Sequence, residues 1–361
     1  MNERRERIRA RLNDLGADAL LVTKPVNVRY LSGYSGSNGQ LIIGAEDVFL
    51  TDPRYEEQSS HEVPDIRREI YQTSASAIGE SAGIFGALAS VVNELRINHL
   101  GVEAGHMTLE TARGARSAMP KVDLVETSSE VETLRVIKDA SEVDALRSAC
   151  STADEALRSL LHELKEGMSE IDVAAILEFE MRRAGSQGLS FDTIAAFGEL
   201  AAEPHHRPTA RALKRGDLIK VDFGAMANGY HSDMTRTIAF GEPPAEMMQI
   251  YDLVKGSQQA GLDAVRAGSP TGDVDAAARG YLSAQGYEFG HGTGHGVGLE
   301  IHEAPPVRAG ATTIMEPGMV LTVEPGVYMP GVGGVRIEDS VVVRADGCDI
   351  LTRSTKELVI V

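Results

Sequence analysis

The stretch IKVDFGAMANGYHSDMTRTIAF, residues 219–240, contains a β-hairpin and, on one face of it, two acids. Two β-like runs meet at Asn228-Gly229, a dipeptide suited to a two-residue hairpin loop because both positions tolerate positive φ. That loop sets Asp233 opposite Gly224 and Thr235 opposite Asp222. Side chains alternate along a strand, so Asp222, Gly224, Asp233 and Thr235 share one face, with the carboxylates diagonal across it. Neighbouring unpaired carboxylates repel, and a cation between them relieves the repulsion. A solvated hairpin face is the competing explanation, since Asp is mostly exposed. Val221 and Phe223 on either side of Asp222 make the run read as buried instead.

Two more β runs embed acids. MVLTVEPGVY (319–328) holds Glu324 and GGVRIEDSVVV (333–343) holds Glu338. Val221-Asp222-Phe223-Gly224 echoes Val323-Glu324-Pro325-Gly326, and each is followed by a second acid, Asp233 or Glu338. A buried charge without a partner costs several kcal/mol. Arg236 and Arg336 are available to neutralise one acid each. Carboxylates joined by imidazole suit a pair of divalent ions such as Mn²⁺, Co²⁺ or Zn²⁺, and no thiolate takes part. Such a pair makes a hydroxide available at neutral pH, which points to a metallohydrolase. The imidazoles come from GHGTGHGVGLEIHE (290–303), where His291, His295 and His302 stand among five glycines. The spacing reads as an extended strand with close backbone approach, the glycines admitting substrate or metal. One histidine is expected to ligate and the others to hydrogen-bond to the reacting group. GxGxxG fails in register, GYSGSNG is not a GxSxG elbow, and HExxH is absent, which sets aside the dinucleotide, serine-hydrolase and single-zinc readings.

The surrounding chain is an α+β protein in two domains, an α/β domain at 1–128 and a catalytic domain at 129–361. In the first, a helix at 2–15 precedes a strand at Ala19–Thr23 and a turn at Lys24-Pro25. Strands at Gln40–Ile43, Val48–Thr51 and His99–Val102 flank a helix at Ile78–Glu94. In the second, helices are expected at Ser141–Glu166 and Glu170–Ala184, where Ser169 with Asp172 signals a start and Gly185 a stop. Further helices fall near Glu246–Arg266 and Asp273–Ala284. The formal charge of −18 disfavours nucleic acid and anionic membrane surfaces. Two distant cysteines, Cys150 and Cys348, and a charged opening without an apolar core fit a soluble, cytoplasmic protein.

At these residues the sequence resembles the pita-bread metallopeptidases, which include Xaa-Pro dipeptidases (prolidases), Xaa-Pro aminopeptidases and methionine aminopeptidases. PHHRPT (204–209), VDFG with SDMTRT, GHGTGHGVGLEIHE, TVEPGVY and GGVRIED occur in the family's order and spacing. The resemblance implies a pita-bread catalytic domain behind a creatinase-type amino-terminal domain, for which YLSGYSGSNG and TDPRY speak. It implies metal ligands at Asp222, Asp233, His295, Glu324 and Glu338, with Asp233 and Glu338 bridging two divalent ions, Mn²⁺ first. His205 matches the histidine ahead of the Pro-Thr pair, chosen over His206 on motif spacing. His291 and His302 match two histidines that contact substrate or the tetrahedral intermediate. The implied chemistry is attack by a metal-bridging hydroxide on the scissile carbonyl. In it Glu324 shuttles the proton to the proline nitrogen, His302 and His205 stabilise charge, and Arg336 orients Glu338 or its neighbours. Tyr328 is a further carry-over. Phe197-Gly198-Glu199-Leu200 departs from the Ser-Gly-x-Asn run common in relatives.

The resemblance favours Xaa-Pro dipeptides, with Xaa-Pro aminopeptidase action on longer peptides as the alternative. Arg308 is a candidate for capturing a dipeptide's carboxylate. A homodimer is implied, with Arg54 or Tyr55 candidates to reach a substrate across it. A non-catalytic binding protein of the same fold would lack ligands, and all five are present.

Overall fold

The chain folds as two units, Met1–Arg135 and Val136–Val361. The computed structural model describes residues 1–72 and 83–361. The first unit is built on β1 (Ala19–Val22), β2 (Gln40–Ile43), β3 (Val48–Thr51), β4 (Arg67–Ile70), β5 (His99–Glu103) and β6 (Asp123–Thr127). These form one sheet in the order β4-β3-β2-β1-β5-β6. β1 runs antiparallel to β2 and parallel to β5. All four β1 residues are buried, so the strand carries the continuous apolar run of a two-sided core rather than an alternation.

Local chemistry corrects several expectations here. The opening helix is two, α1 (Asn2–Arg9) and α2 (Leu12–Leu15), closed by Gly16 at φ 67°. Ile8 and Leu12 are buried on either side of the break. Lys24-Pro25 is a helix start rather than a turn: Pro25 opens α3 (Pro25–Ser32), where its missing N–H costs nothing. α4 (Glu56–Glu62) and α5 (Gly83–Glu94) follow, and the part of the expected helix before residue 83 lies outside the described residues. After α6 (Leu109–Ala118) comes α7 (Glu130–Arg135), which carries the division past the expected 128. Leu134 O accepts from Tyr30 Oη at 3.1 Å and Arg135 donates to Asn27 at 2.8 Å, tying α7 to the first unit.

In the second unit, α8 (Ala140–Glu163) and α9 (Glu170–Arg183) each begin with a capping box, Asp139 with Glu142 and Ser169 with Asp172. They cover one face of a sheet ordered β11-β8-β7, made of β7 (Ile194–Phe197), β8 (Leu218–Phe223) and β11 (Met234–Ala239). The small pair β9 (Met226–Ala227) and β10 (Tyr230–His231) carries the Asn228-Gly229 loop, with φ 51° and 78°. The register pairs Thr235 with Asp222, as the loop requires. Leu157, Leu160, Val173 and Leu177 of the helices pack on Ile219, Val221 and Phe223 of β8. Alternation therefore turns Lys220 and Asp222 to the opposite face.

The echo in the sequence is an echo in architecture. α10 (Ala245–Ala264) and α11 (Thr271–Ser283) cover a second sheet, ordered β13-β12-β14-β17-β18. It comprises β12 (Gly294–Gly296), β13 (Glu303–Val307), β14 (Val320–Val323), β17 (Asp339–Arg344) and β18 (Gly347–Ile350), while β15 (Gly326–Met329) pairs with β16 (Gly333–Arg336). Leu321, Val323, Val341 and Val343 join the core beneath Leu262 and Val265. Within 290–303 only Gly294–Gly296 and the β13 residue Glu303 are strand, so the extended stretch is shorter than expected.

Candidate metal centre

Asp222 stands on β8 and Asp233 at the entry to β11; Glu324 follows β14 and Glu338 leads into β17. Each acid pair thus occupies one end of an antiparallel strand pair, on the face turned away from the covering helices. Ligand atoms of Asp222, Asp233 and Glu338 lie within 4.8 Å of one another, and all three residues are buried. His295 Nε2 on β12 lies 3.5 Å from Asp233 Oδ2 and 3.4 Å from Glu324 Oε1. The five sequence-derived ligands are therefore gathered at one place.

The electrostatics of this cluster ask for a cation. Burial, then Glu338, Asp222 and Glu324, push the Asp233 carboxyl far above its usual range. Burial, then Glu324 and Asp222, does the same to Glu338, and burial raises Glu324 to about 7. Asp222 Oδ1 and Glu338 Oε1 are buried without a hydrogen-bond partner among the described residues. His295 Nδ1 donates to Gly296 O at 3.1 Å, which leaves Nε2 as a bare lone pair aimed at two carboxylates. Burial holds this imidazole neutral, with its pKa down at about 4. A lone pair facing carboxylate oxygens is repulsive unless a positive charge stands between them, so the donor set fits hard divalent metal ions.

The supporting shell differs in part from expectation. Arg336 pairs with Asp222 rather than Glu338, and also donates to Thr235 Oγ1 at 3.0 Å and Pro204 O at 3.1 Å. Thr235 passes the orientation on, donating to Glu338 Oε2 at 2.8 Å. Thr322 holds Glu324 Oε1 at 3.2 Å and accepts from the His295 backbone at 3.1 Å. Arg236 neutralises Asp339, not a ligand acid, at 2.8 Å. The glycines of 290–303 serve the backbone more than a substrate: a Cβ at Gly294 would overlap Thr322 O, and one at Gly296 would overlap Ala304 O.

A cavity of about 420 Å³ opens over the cluster, lined by Asp222, Asp233, His295, Glu324, His205, His291 and His302 among others. His205 is exposed on its wall, whereas His206 is buried between Glu170 at 2.9 Å and Glu203 at 2.6 Å. Burial would lower the His206 pKa, but these two hydrogen bonds outweigh it and raise it. The His302 ring meets the His295 ring edge-on at 4.3 Å. His291 donates from Nδ1 to Gly292 O at 2.8 Å, so its Nε2 accepts from Tyr328 Oη at 2.9 Å, while Arg336 donates to that hydroxyl at 3.0 Å. Both His291 nitrogens are thereby occupied, and the residue reaches the cavity without a free hydrogen-bonding atom. Burial keeps it neutral, near pKa 4.

Arg308 does not line the cavity; Arg207 and Asp192 do. In the first unit, Arg54 grips the buried Asp52 at 2.7 Å and Tyr55 Oη meets Ser37 at 2.6 Å. Nothing in the sequence singled out Arg207, Lys220 or Thr322. Lys220 and Thr322 hold matching places just ahead of the echo, two residues before Asp222 and Glu324.

Comparison with known proteins agrees with this geometry. A family model described as metallopeptidase family M24 matches residues 144–345, and one described as creatinase/prolidase N-terminal domain matches 4–137. The solved Xaa-Pro dipeptidase from Bacillus anthracis is 40% identical with TM-score 0.94, over 100% of this chain and 99% of that one. The Xaa-Pro dipeptidase of Pyrococcus furiosus is 35% identical over 99% of this chain and 100% of its own length. The X-Pro aminopeptidase structure from Thermotoga maritima is 32% identical with TM-score 0.90, over 97% of this chain and 100% of that one. The architecture is accordingly the two-domain, creatinase-like α+β arrangement with a pita-bread catalytic domain.

Proposed function

The chain belongs to metallopeptidase family M24, and from that premise we propose that it hydrolyses the bond between a first residue and proline, in dipeptides before longer peptides. The observation that carries this reading is the buried carboxylate cluster with the bare His295 nitrogen, at the floor of a cavity of about 420 Å³. Asp222, Asp233, His295, Glu324 and Glu338 would hold two divalent ions, with Mn²⁺ the first choice. When bound, such ions polarise a carbonyl and lower the pKa of water toward neutrality.

The chain's own residues do the rest. Glu324, held by Thr322, carries the proton toward the leaving proline nitrogen. His205 and His302 on the wall donate to charge developing on the scissile carbonyl oxygen. Arg336 fixes Asp222 directly and Glu338 through Thr235, and His291 with Tyr328 forms a rigid neutral wall. Phe191, Ile194 and Ile301 offer apolar surface for the proline ring. Among the described residues Arg207 is the wall cation with no acidic partner, whereas Arg336 is saturated. We assign Arg207 to the α-carboxylate of a dipeptide in place of Arg308. Aminopeptidase action is the second reading, supported by the likeness to the Thermotoga protein.

We further propose a cytoplasmic location and, from the family resemblance, a homodimer. Two free cysteines, one buried, fit a reducing compartment, and no described helix is long and apolar enough to cross a membrane. Chelator-stripped protein with Mn²⁺ restored should cleave an Xaa-Pro dipeptide and spare the matched Xaa-Ala dipeptide. Equal cleavage of both, or none with any divalent ion, would sink the proline reading.

A further inference from the structure

We infer that Lys220 is the positioning residue for His205, acting by clamping two backbone carbonyls of the segment that carries it. This rests on His205 serving catalysis as proposed above. Lys220 lies on β8 two residues before Asp222, so the two side chains share a face. It is fully buried, and among the described residues it makes no ion pair with a carboxylate. Its Nζ donates instead to Ala201 O at 3.0 Å and Glu203 O at 2.5 Å, and stands 5.2 Å from the centre of the Tyr328 ring.

A lysine buried without an acid needs a reason, and the segment it holds supplies one. Residues 198–202 form a 3-10 turn that leads into Pro204 and His205. The Ala201 carbonyl rests against Gly334 of β16, where a Cβ would overlap it. Arg336 donates to Pro204 O at 3.1 Å, and His206 is locked between Glu170 and Glu203. The His205 side chain itself is exposed and has no hydrogen-bond partner among the described residues, so its place on the wall is dictated by its backbone alone. Lys220 ties that backbone to the strand of Asp222 at Ala201 and Glu203, beside the tie that Arg336 makes at Pro204. The clamp does not depend on the protonation state of Lys220, because an amine and an ammonium both carry enough N–H bonds for two carbonyls. Any shift of 201–204 would move His205 relative to the metal ligands, and displacements of this kind near an active site lower turnover by up to roughly 100-fold.

The test is a double-mutant cycle on metal-loaded protein with an Xaa-Pro dipeptide, using Lys220→Met, His205→Ala and the double variant. Melting temperature and bound metal per chain are measured for each. Lys220→Met is expected to lower kcat by about 10- to 100-fold with KM nearly unchanged and metal content intact. In the His205→Ala background the same substitution should change nothing further. Additive losses in the double variant, or an unchanged kcat in Lys220→Met, would overturn the inference while leaving His205 in place. A His205→Ala enzyme with normal kcat would instead remove the His205 reading and Lys220's role with it. Should Lys220→Met fail to fold, Gly334→Ala presses on the same Ala201 carbonyl from the other side, and additivity with His205→Ala there counts against the inference equally.

Discussion

Asp233 sits in the field of three other carboxylates, and burial denies it water, so its contribution to stability has opposite signs with and without metal. Asp233→Asn should abolish activity. In chelated protein the same change removes a carboxyl whose ionisation burial and three neighbours oppose, so at a pH where the cluster ionises the metal-free variant should melt above metal-free wild type. Calorimetry on both stripped proteins checks this, and a lower melting temperature for the variant would mean the cluster is not frustrated. Arg207 tests specificity at the same scale. A lost charge-assisted hydrogen bond is worth about 1.5–3 kcal/mol, so Arg207→Gln should raise KM for an Xaa-Pro dipeptide about 10-fold or more. An Xaa-Pro tripeptide, whose carboxylate lies one residue farther on, should be little affected; equal effects on both would remove Arg207 from the carboxylate. At this scale the four acids stood out in the sequence, because acids inside apolar β runs need compensation wherever they fold, whereas His295 was singled out from its neighbours by the family resemblance. The partners were not: Arg336 lies two residues from Glu338 in the chain, yet it pairs with Asp222, more than 100 residues away.

The glycines bear on the elements. A Cβ at Gly294 would overlap Thr322 O across the β12–β14 pairing, and Thr322 touches both the His295 backbone and Glu324. Gly294→Ala should therefore weaken metal binding, since separating these strands moves two ligands at once. Gly290 has open space around it and no positive φ, so Gly290→Ala should leave metal affinity and melting temperature within experimental error. Isothermal titration with Mn²⁺ on the two variants separates them, and equal behaviour would contradict the close-approach account. Hairpin register was legible because Asn-Gly imposes one loop geometry on its flanking strands. The capping box of Ser169 with Asp172 was legible because a cap is a local hydrogen-bond exchange, whereas that of Asp139 with Glu142 went unread and its helix was expected to begin at Ser141. The break between α1 and α2 and the helix opened by Pro25 were not, since propensity over a few residues yields to packing at either end.

At the scale of the whole molecule, metal and pH become stability variables. Metal that binds only the native state adds about 3–4 kcal/mol at 100 to 1,000 times its Kd, so chelation should lower the melting temperature and Mn²⁺ should restore it. In stripped protein the folded pKa values of Asp233, Glu324 and Glu338 lie above their unfolded ones. Their contribution is then fully present below about pH 4 and is lost as pH rises through the folded values, about 7 for Glu324. Stripped protein should melt higher at about pH 6 than at about pH 8, a trend the metal-loaded form should lack; a flat profile would mean the carboxylates are relieved in some other way. The sequence by itself determined the α+β class and the doubled pattern of acids in β runs, because alternation and turn chemistry act between near neighbours. Only the tertiary structure showed that, of the two cavity-lining histidines, His206 is buried between Glu170 and Glu203 while His205 is exposed. It alone showed that both His291 nitrogens are engaged and that the buried Lys220 donates to the Ala201 and Glu203 carbonyls, because those outcomes depend on groups brought together from distant parts of the chain.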